Sequence, residues 1–261
     1  MNQLEKEMFN LLLELKEKYN VFSVKAEFEA EGTRDDDLLR LVDIVKRSDL
    51  KLTIKIGGCE AIRDLIECKQ LGVDRIVAPM IESEYALKKF QGAINQVYSP
   101  SDIEDTEFLF NLETISAYRN IEPLSDAVKS ASNIDGIVFG RVDFCGSLGL
   151  TREEINSEEI LKYCHDVSTI CKDKDMSYVV GGGVSNDSYL FLKSLSQIRL
   201  DSFETRKIIF NSDILQSDIK EAIKLAVKYE LAYLKNKSNY YQMIASEDKS
   251  RIEMLEKRVL L

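Results

Sequence analysis

The 261-residue chain has no tryptophan, three prolines and a single histidine. So little proline, with no long glycine/serine run, gives no sign of a linker. We read one domain spanning residues 1–261, a length ordinary for an α/β barrel. Positive charge is scarce: 35 lysines and arginines against 45 acids give a net charge of −10. That balance argues against a nucleic-acid partner, which selects a basic face, and against an anionic membrane surface. No apolar run approaches membrane-spanning length. The acid-rich N-terminus lacks the basic start and unbroken apolar stretch of a signal peptide. The five cysteines are an odd set without CxxC or Cys/His spacing, which points to reduced thiols rather than a disulfide frame or zinc site. The expected setting is the cytoplasm.

What is present is a repeat of short apolar runs and amphipathic helical stretches. Residues 3–19 carry a helical stripe, and residues 21–29 (VFSVKAEFE) alternate, with Lys25, Glu27 and Glu29 on one side. Further strands are expected at 51–56, 75–80, 95–99, 107–112, 135–140, 177–181 and 206–210. Helices are expected at 35–47, 60–71 and 83–90. Eight strands, mostly separated by helices, predict a TIM (β/α)8 barrel over residues 21–211. Residues 1–20 form the N-terminal helix. Residues 212–261 supply additional C-terminal helices, at 212–235 and 247–260, the surplus one suited to packing on a neighbouring subunit.

In such a barrel, chemistry occurs where strands end at their C-terminal tips. Two apolar runs, FLFNLE and GIVFGRVD, each deliver one carboxylate to that level, Glu113 and Asp143. Two acids converging from separate strands begin a divalent-cation site of hard oxygen donors, suited to Mg2+ or Mn2+. Either acid alone could instead cap the following helix. Lys55 ends the second strand, where it could supply charge to an oxyanion or act as a Schiff-base nucleophile. Glu27 and Glu29 are candidate bases, with Lys25 beside them; Glu31 is expected to face solvent. Gly57 and Gly58, and Gly181 and Gly182, each sit between a strand and a helix, where bare amides can approach an anion. Glu204 and Arg206 are expected at the bottom face, in a stabilising role.

Three segments carry a resemblance: IVAPMIE (76–82), NLET (111–114) and GIVFGRVDFCGSLG (136–149). In order and separation they resemble the HpcH/HpaI aldolase and citrate lyase β-subunit family. The resemblance implies a barrel that cleaves or forms carbon–carbon bonds of 2-oxo acids or acyl-CoA thioesters with Mg2+ or a similar ion. Glu113 and Asp143 match that family's metal-ligating acids. Three positions depart from its pattern: Lys55 stands in place of an arginine, Arg141 in place of a proline, and Cys145 in place of a serine. The family's aldolases also use a histidine base, whereas His165 falls within a helix here. The implied activity is a metal-dependent lyase or aldolase acting on a small 2-oxo acid, with Lys55, Glu27 and Glu29 as catalytic candidates. Lys25, Gly57, Gly58, Arg141, Gly181 and Gly182 are the candidates for holding substrate. A Schiff-base aldolase through Lys55 and a non-catalytic binding or assembly subunit are the alternatives. A homo-oligomer built through the C-terminal helices is expected.

Overall fold

Alternation of side chains along the strands decides which residues meet the helices and which fill the barrel. The structure, a computed structural model, describes residues 1–130, 133–217 and 219–259. The strands are β1 (Val21–Glu27), β2 (Lys51–Lys55), β3 (Arg75–Ala78), β4 (Glu107–Leu112), β5 (Gly136–Gly140), β6 (Ser177–Gly181), β7 (Ser202–Glu204) and β8 (Ile208–Asn211). They close on one another in chain order, so no edge is left to pair with another chain. The helices are α1 (Gln3–Tyr19), α2 (Asp35–Arg47), α3 (Ile62–Leu71), α4 (Glu84–Val97), α5 (Pro100–Glu104), α6 (Ile115–Arg119), α7 (Ile121–Ser130), α8 (Arg141–Ser147), α9 (Glu158–Asp173), α10 (Tyr189–Ser196) and α11 (Ile219–Val259).

Val24, Ala26, Leu52, Ile54, Ile76, Phe108, Phe110, Ile137, Phe139, Tyr178 and Val180 face outward into one continuous core under the helices. At about 25 cal/mol per Å2 of apolar surface, that layer dominates stability. The inward residues are different. Val77, Leu109, Val138 and Val179, from four adjacent strands, form a small separate apolar cluster. The register places Ser23, Lys25 and Glu27 of β1 beside Thr53 and Lys55 of β2 on the same inward face. One half of the interior is therefore apolar and the other polar and charged.

The expected barrel is present, with two strands reassigned. Residues 95–99 are not a strand: α4 runs to Val97, because Leu87, Phe90, Ala93 and Ile94 continue one buried helical stripe. The strand that completes the eight is β7, three residues long and too short to show alternation. Strands β1 to β7 are parallel neighbours, but β8 runs antiparallel to both β7 and β1. Only residues 205–207 separate β7 from β8, a span that makes a hairpin and cannot make a parallel crossover. This reversal corrects the placement of Glu204: it ends a parallel strand and lies at the upper mouth.

The two expected C-terminal helices are one, α11, which has no glycine or proline to break it; the expected end at Leu260 lies outside the described residues. Its first half buries Ala222, Ile223, Ala226, Tyr229 and Tyr233, packing mainly on α1. Beyond Tyr241 every described residue is exposed, including Met243, Ile244, Ile252, Leu255 and Val259. Among the described residues no helix is long and apolar enough to cross a membrane. The five cysteines are free, and four are buried.

Candidate active site

The upper mouth is built around two lysines, each held by two carboxylates. Lys55 Nζ lies 2.8 Å from Glu29 Oε2 and 3.2 Å from Glu113 Oε2. Lys25 Nζ lies 3.1 Å from Glu27 Oε1 and 2.5 Å from Glu204 Oε1. Lys25, Lys55, Glu27, Glu113 and Glu204 are all buried. Ionised groups persist at such depth only when paired.

Local backbone makes room for these acids. Gly140 faces Glu113, and a Cβ there would come within 2.9 Å of the Glu113 Cβ; at Gly181 a Cβ would come within 2.8 Å of Glu204 Oε1. The glycine ending each of β5 and β6 is thus a vacancy that a neighbouring acid fills. Glu113 also accepts hydrogen bonds from Asn111 Nδ2 (2.6 Å) and from the Met80 backbone N–H (3.0 Å). Met80 adopts a left-handed backbone, φ 51°, at a cost on the order of 1 kcal/mol for a side chain with a Cβ. That turn aims its amide at the buried carboxylate. The other polar end of Asn111, Oδ1, is buried without a hydrogen-bond partner among the described residues.

The charges follow from these contacts. Burial would push the Lys25 ammonium down, but Glu204 and Glu27 outweigh it and hold it above the ordinary lysine value. Burial opposes the charge of Lys55 as well, and Glu113 and Glu29 again win, keeping it protonated. Burial would raise Glu27, yet Lys25, Arg206 and Lys55 bring it below the usual carboxylate range. Asp143, on α8, goes the other way: partial burial raises its carboxyl, and the negative charges of Glu113, Glu29 and Glu27 add to that against Lys55. Asp143 is exposed and makes no hydrogen bond or ion pair among the described residues.

The structure thus brings together Lys25, Glu27, Glu29, Lys55, Glu113 and Asp143. It does not bring in Arg141. That guanidinium is fully buried on the far side of β6, donating to the Gly181 carbonyl (3.1 Å) and to Asn156 Oδ1 (2.7 Å), with Phe191 against its face. Burial pulls it down to about 10, and with its donors spent on the protein it has none for substrate. The glycines also serve the protein. The Gly57 amide donates to Asp64 Oδ2 at 2.7 Å, Gly181 yields space to Glu204, and Gly182, at φ 78°, packs on the backbone of Arg141 and Val142. Of the four candidate glycines, Gly58 alone has open space where a Cβ would stand. His165 bonds Ser194 Oγ between α9 and α10, away from the mouth.

Sequence reasoning missed Glu204 and the Glu31 latch. Glu31 is not free in solvent: it pairs with Arg206 at 3.0 Å and with buried Lys207, whose ammonium also covers the Tyr233 ring. It ties the loop after β1 to the β7–β8 turn. The available signal for both was the hairpin-length spacing in SFETRKIIF.

As for a metal, no group of three or more His, Cys, Asp or Glu among the described residues is arranged to hold one. Magnesium does not demand three: one or two carboxylates suffice, with waters and substrate completing the shell. Glu113 and Asp143 offer hard oxygens, and partial burial together with the negative charges of Glu113, Glu29 and Glu27 raises the Asp143 carboxyl, which a nearby cation would oppose. The donor set fits the ion.

A family model, HpcH/HpaI aldolase/citrate lyase, matches residues 37–198. Among solved structures, the chain is similar to an HpcH/HpaI aldolase from Desulfitobacterium hafniense DCB-2, with TM-score 0.59 and 9% identity over 74% of this chain and 80% of that one. It is similar to citrate synthase SbnG, with TM-score 0.58 and 14% identity over 89% and 90% of the two chains. Macrophomate synthase aligns with TM-score 0.52 and 12% identity over 91% and 90%. Identities this low speak for the fold alone. No curated protein matches the sequence.

Proposed function

Because the chain belongs to the HpcH/HpaI aldolase/citrate lyase family, and is thereby a carbon–carbon lyase, we propose that it acts on a small 2-oxo acid through a pyruvate-type enolate. Glu113 and Asp143 would hold Mg2+ or Mn2+. The observation that carries this reading is the gathering of Glu27, Glu29, Glu113, Glu204 and Asp143 around Lys25 and Lys55 at the mouth.

Breaking a bond β to a carbonyl leaves an electron pair that becomes an enolate oxygen charge, so the site must stabilise that oxyanion. The bound cation would supply Lewis-acid polarisation of the 2-oxo and carboxylate oxygens. The chain's own residues do the rest. Glu113, fixed by Asn111 and the Met80 amide, cannot swing away when substrate displaces water. Lys55, kept protonated by Glu113 and Glu29, presents an ammonium to the developing oxyanion without proton transfer. Lys25 is a counter-ion for Glu204 and Glu27 rather than a substrate ligand, since both carboxylates already engage it. Glu27, held low by its cations, is a weak base near neutral pH. That leaves Glu29, a third exposed and on the loop after β1, as the carboxylate assigned to proton transfer once substrate takes over the pairing of Lys55.

The same geometry weighs against a Schiff base. Lys55 would have to lose the proton that two carboxylates stabilise before it could attack a carbonyl. For assembly, the exposed stretch of α11 supports a homo-oligomer: a helix without packing partners is marginal in water, and Met243, Ile244, Ile252 and Leu255 are apolar. Light scattering tests that assignment, and a monomer at micromolar concentration counts against it.

Pyruvate release from oxaloacetate is the direct assay. The expected result is loss of activity with EDTA, recovery with Mg2+ or Mn2+, and no recoverable activity in Glu113→Gln or Asp143→Asn proteins of unchanged circular dichroism. Full turnover in EDTA sinks the metal reading.

A further inference from the structure

We infer that Lys55 is a built-in occupant of the cation seat at Glu113, an ammonium that the incoming divalent ion must displace toward Glu29. The inference rests on the metal reading above and concerns how the chain holds the site before loading.

Three observations support it. First, Lys55 Nζ sits against both Glu113 oxygens, 3.2 Å from Oε2 and 3.5 Å from Oε1, so it straddles the carboxylate as a chelated cation would. Second, the remaining contacts of Glu113, from Asn111 and the Met80 amide, come from neutral donors held by β4 and by the left-handed turn at Met80. Those donors orient the carboxylate and do not compete for charge. Lys55 is the one ionic partner of Glu113 among the described residues. Third, Lys55 already has a second anchor. Glu29 lies 2.8 Å away, and it is about a third exposed where Glu113 is buried. The ammonium can follow Glu29 outward while staying paired, so vacating the seat strands neither charge. A divalent ion on Glu113 beside an unmoved ammonium would be repelled at short range in a poorly screened site.

The arrangement gives a deeply buried carboxylate an ionic partner before any metal arrives. It also gives the mouth a cost for binding a cation alone. Metal affinity is lowered by the competition, and it recovers when a substrate carboxylate takes over part of the lysine's pairing.

The test measures Mn2+ binding to the full chain, without substrate, by loss of the free aqua-ion signal in electron paramagnetic resonance. Lys55→Met with Glu29→Gln removes one positive and one negative charge, so the net charge of the mouth equals that of the wild type. The seat is nevertheless open. The expected result is a Mn2+ dissociation constant at least tenfold lower for the double variant. Equal affinity for the two proteins overturns the displacement while leaving the metal reading intact. No binding by either protein at millimolar Mn2+ overturns both. Because an unpaired Glu113 can weaken folding, the Lys55→Gln/Glu29→Gln pair serves as a second variant, and Tm is followed with and without Mn2+. The expected Mn2+-induced rise in Tm is larger in both variants than in the wild type; an equal or smaller rise overturns the inference.

Discussion

The two ends of the barrel interior both carry buried or half-buried ions, and they differ in the sign left over. At the lower end, Glu107 takes Arg75 through Nε at 2.7 Å and Lys51 at 3.1 Å. One carboxylate thus serves two cations, and it is about a third exposed. At the upper end, Glu27, Glu29, Glu113, Glu204 and Asp143 surround Lys25 and Lys55, with Arg206 reaching Glu27 only at 3.5 Å. The lower cluster sets two cations on one carboxylate, and Arg75 Nη1 is buried without a hydrogen-bond partner among the described residues. The upper one holds more carboxylates than cations, and the carboxylate left over, Asp143, is exposed. Bottom-face charges in such barrels serve stability, while the top face carries chemistry; here the leftover sign distinguishes the two from inside one molecule.

The sharpest way to break the contrast is at Lys25. Lys25→Met leaves Glu204 and Glu27 buried beside each other without their ammonium, at an expected cost of about 3–5 kcal/mol. Urea unfolding measures it, and adding Glu204→Gln should restore part of the loss, since residues in one ion network couple. A loss under 1 kcal/mol would mean that the upper cluster is no more demanding than the lower. The counterpart is Arg75→Met, which leaves Glu107 partly exposed and still paired to Lys51. The expected loss is about 1 kcal/mol with pyruvate release unchanged; a fall in turnover would contradict the structural role of the lower end.

The smallest effect belongs to Asp143. Its folded pKa lies above its ordinary value, so its contribution to stability is fully present below the unfolded pKa of about 4 and is lost as pH rises through the folded one. Asp143→Asn removes that loss. The metal-free variant should therefore melt slightly above the wild type at pH 7, and the two should converge near pH 3. Glu27 has the opposite sign: its depressed pKa stabilises the fold above the usual carboxylate range, and that contribution is lost as pH falls through its folded value.

Much of the site was legible because strand periodicity is local. The alternation of Lys25 and Glu27 with Val24 and Ala26 put both ions on one face, and the apolar runs ending at Glu113 and Asp143 located the upper mouth. Arg141 illustrates the limit. A residue two places before a candidate ligand looks like site chemistry, but α8 begins at Arg141 and turns its side chain behind β6, where the Gly181 carbonyl and Asn156 use its donors. Glu204 illustrates the reverse. Its three-residue strand has no visible period, and only pairing with β6 shows which end of the barrel it occupies.

By itself, the sequence determined the architecture and most of the elements, though not strand β7 or the continuity of α11: a barrel of short strands, a helical shell, and a set of acids and lysines at strand tips. These follow from hydrophobic period and from the backbone's own geometry, which act over a few residues. The tertiary structure alone decided the pairing. That β8 runs backward, that Glu204 belongs to Lys25, and that Lys55 sits on Glu113 with Glu29 ready to receive it depend on residues 179 and 58 positions apart in the chain. Such charges meet where the closed barrel brings its strand tips together, and burial is what makes each pairing compulsory.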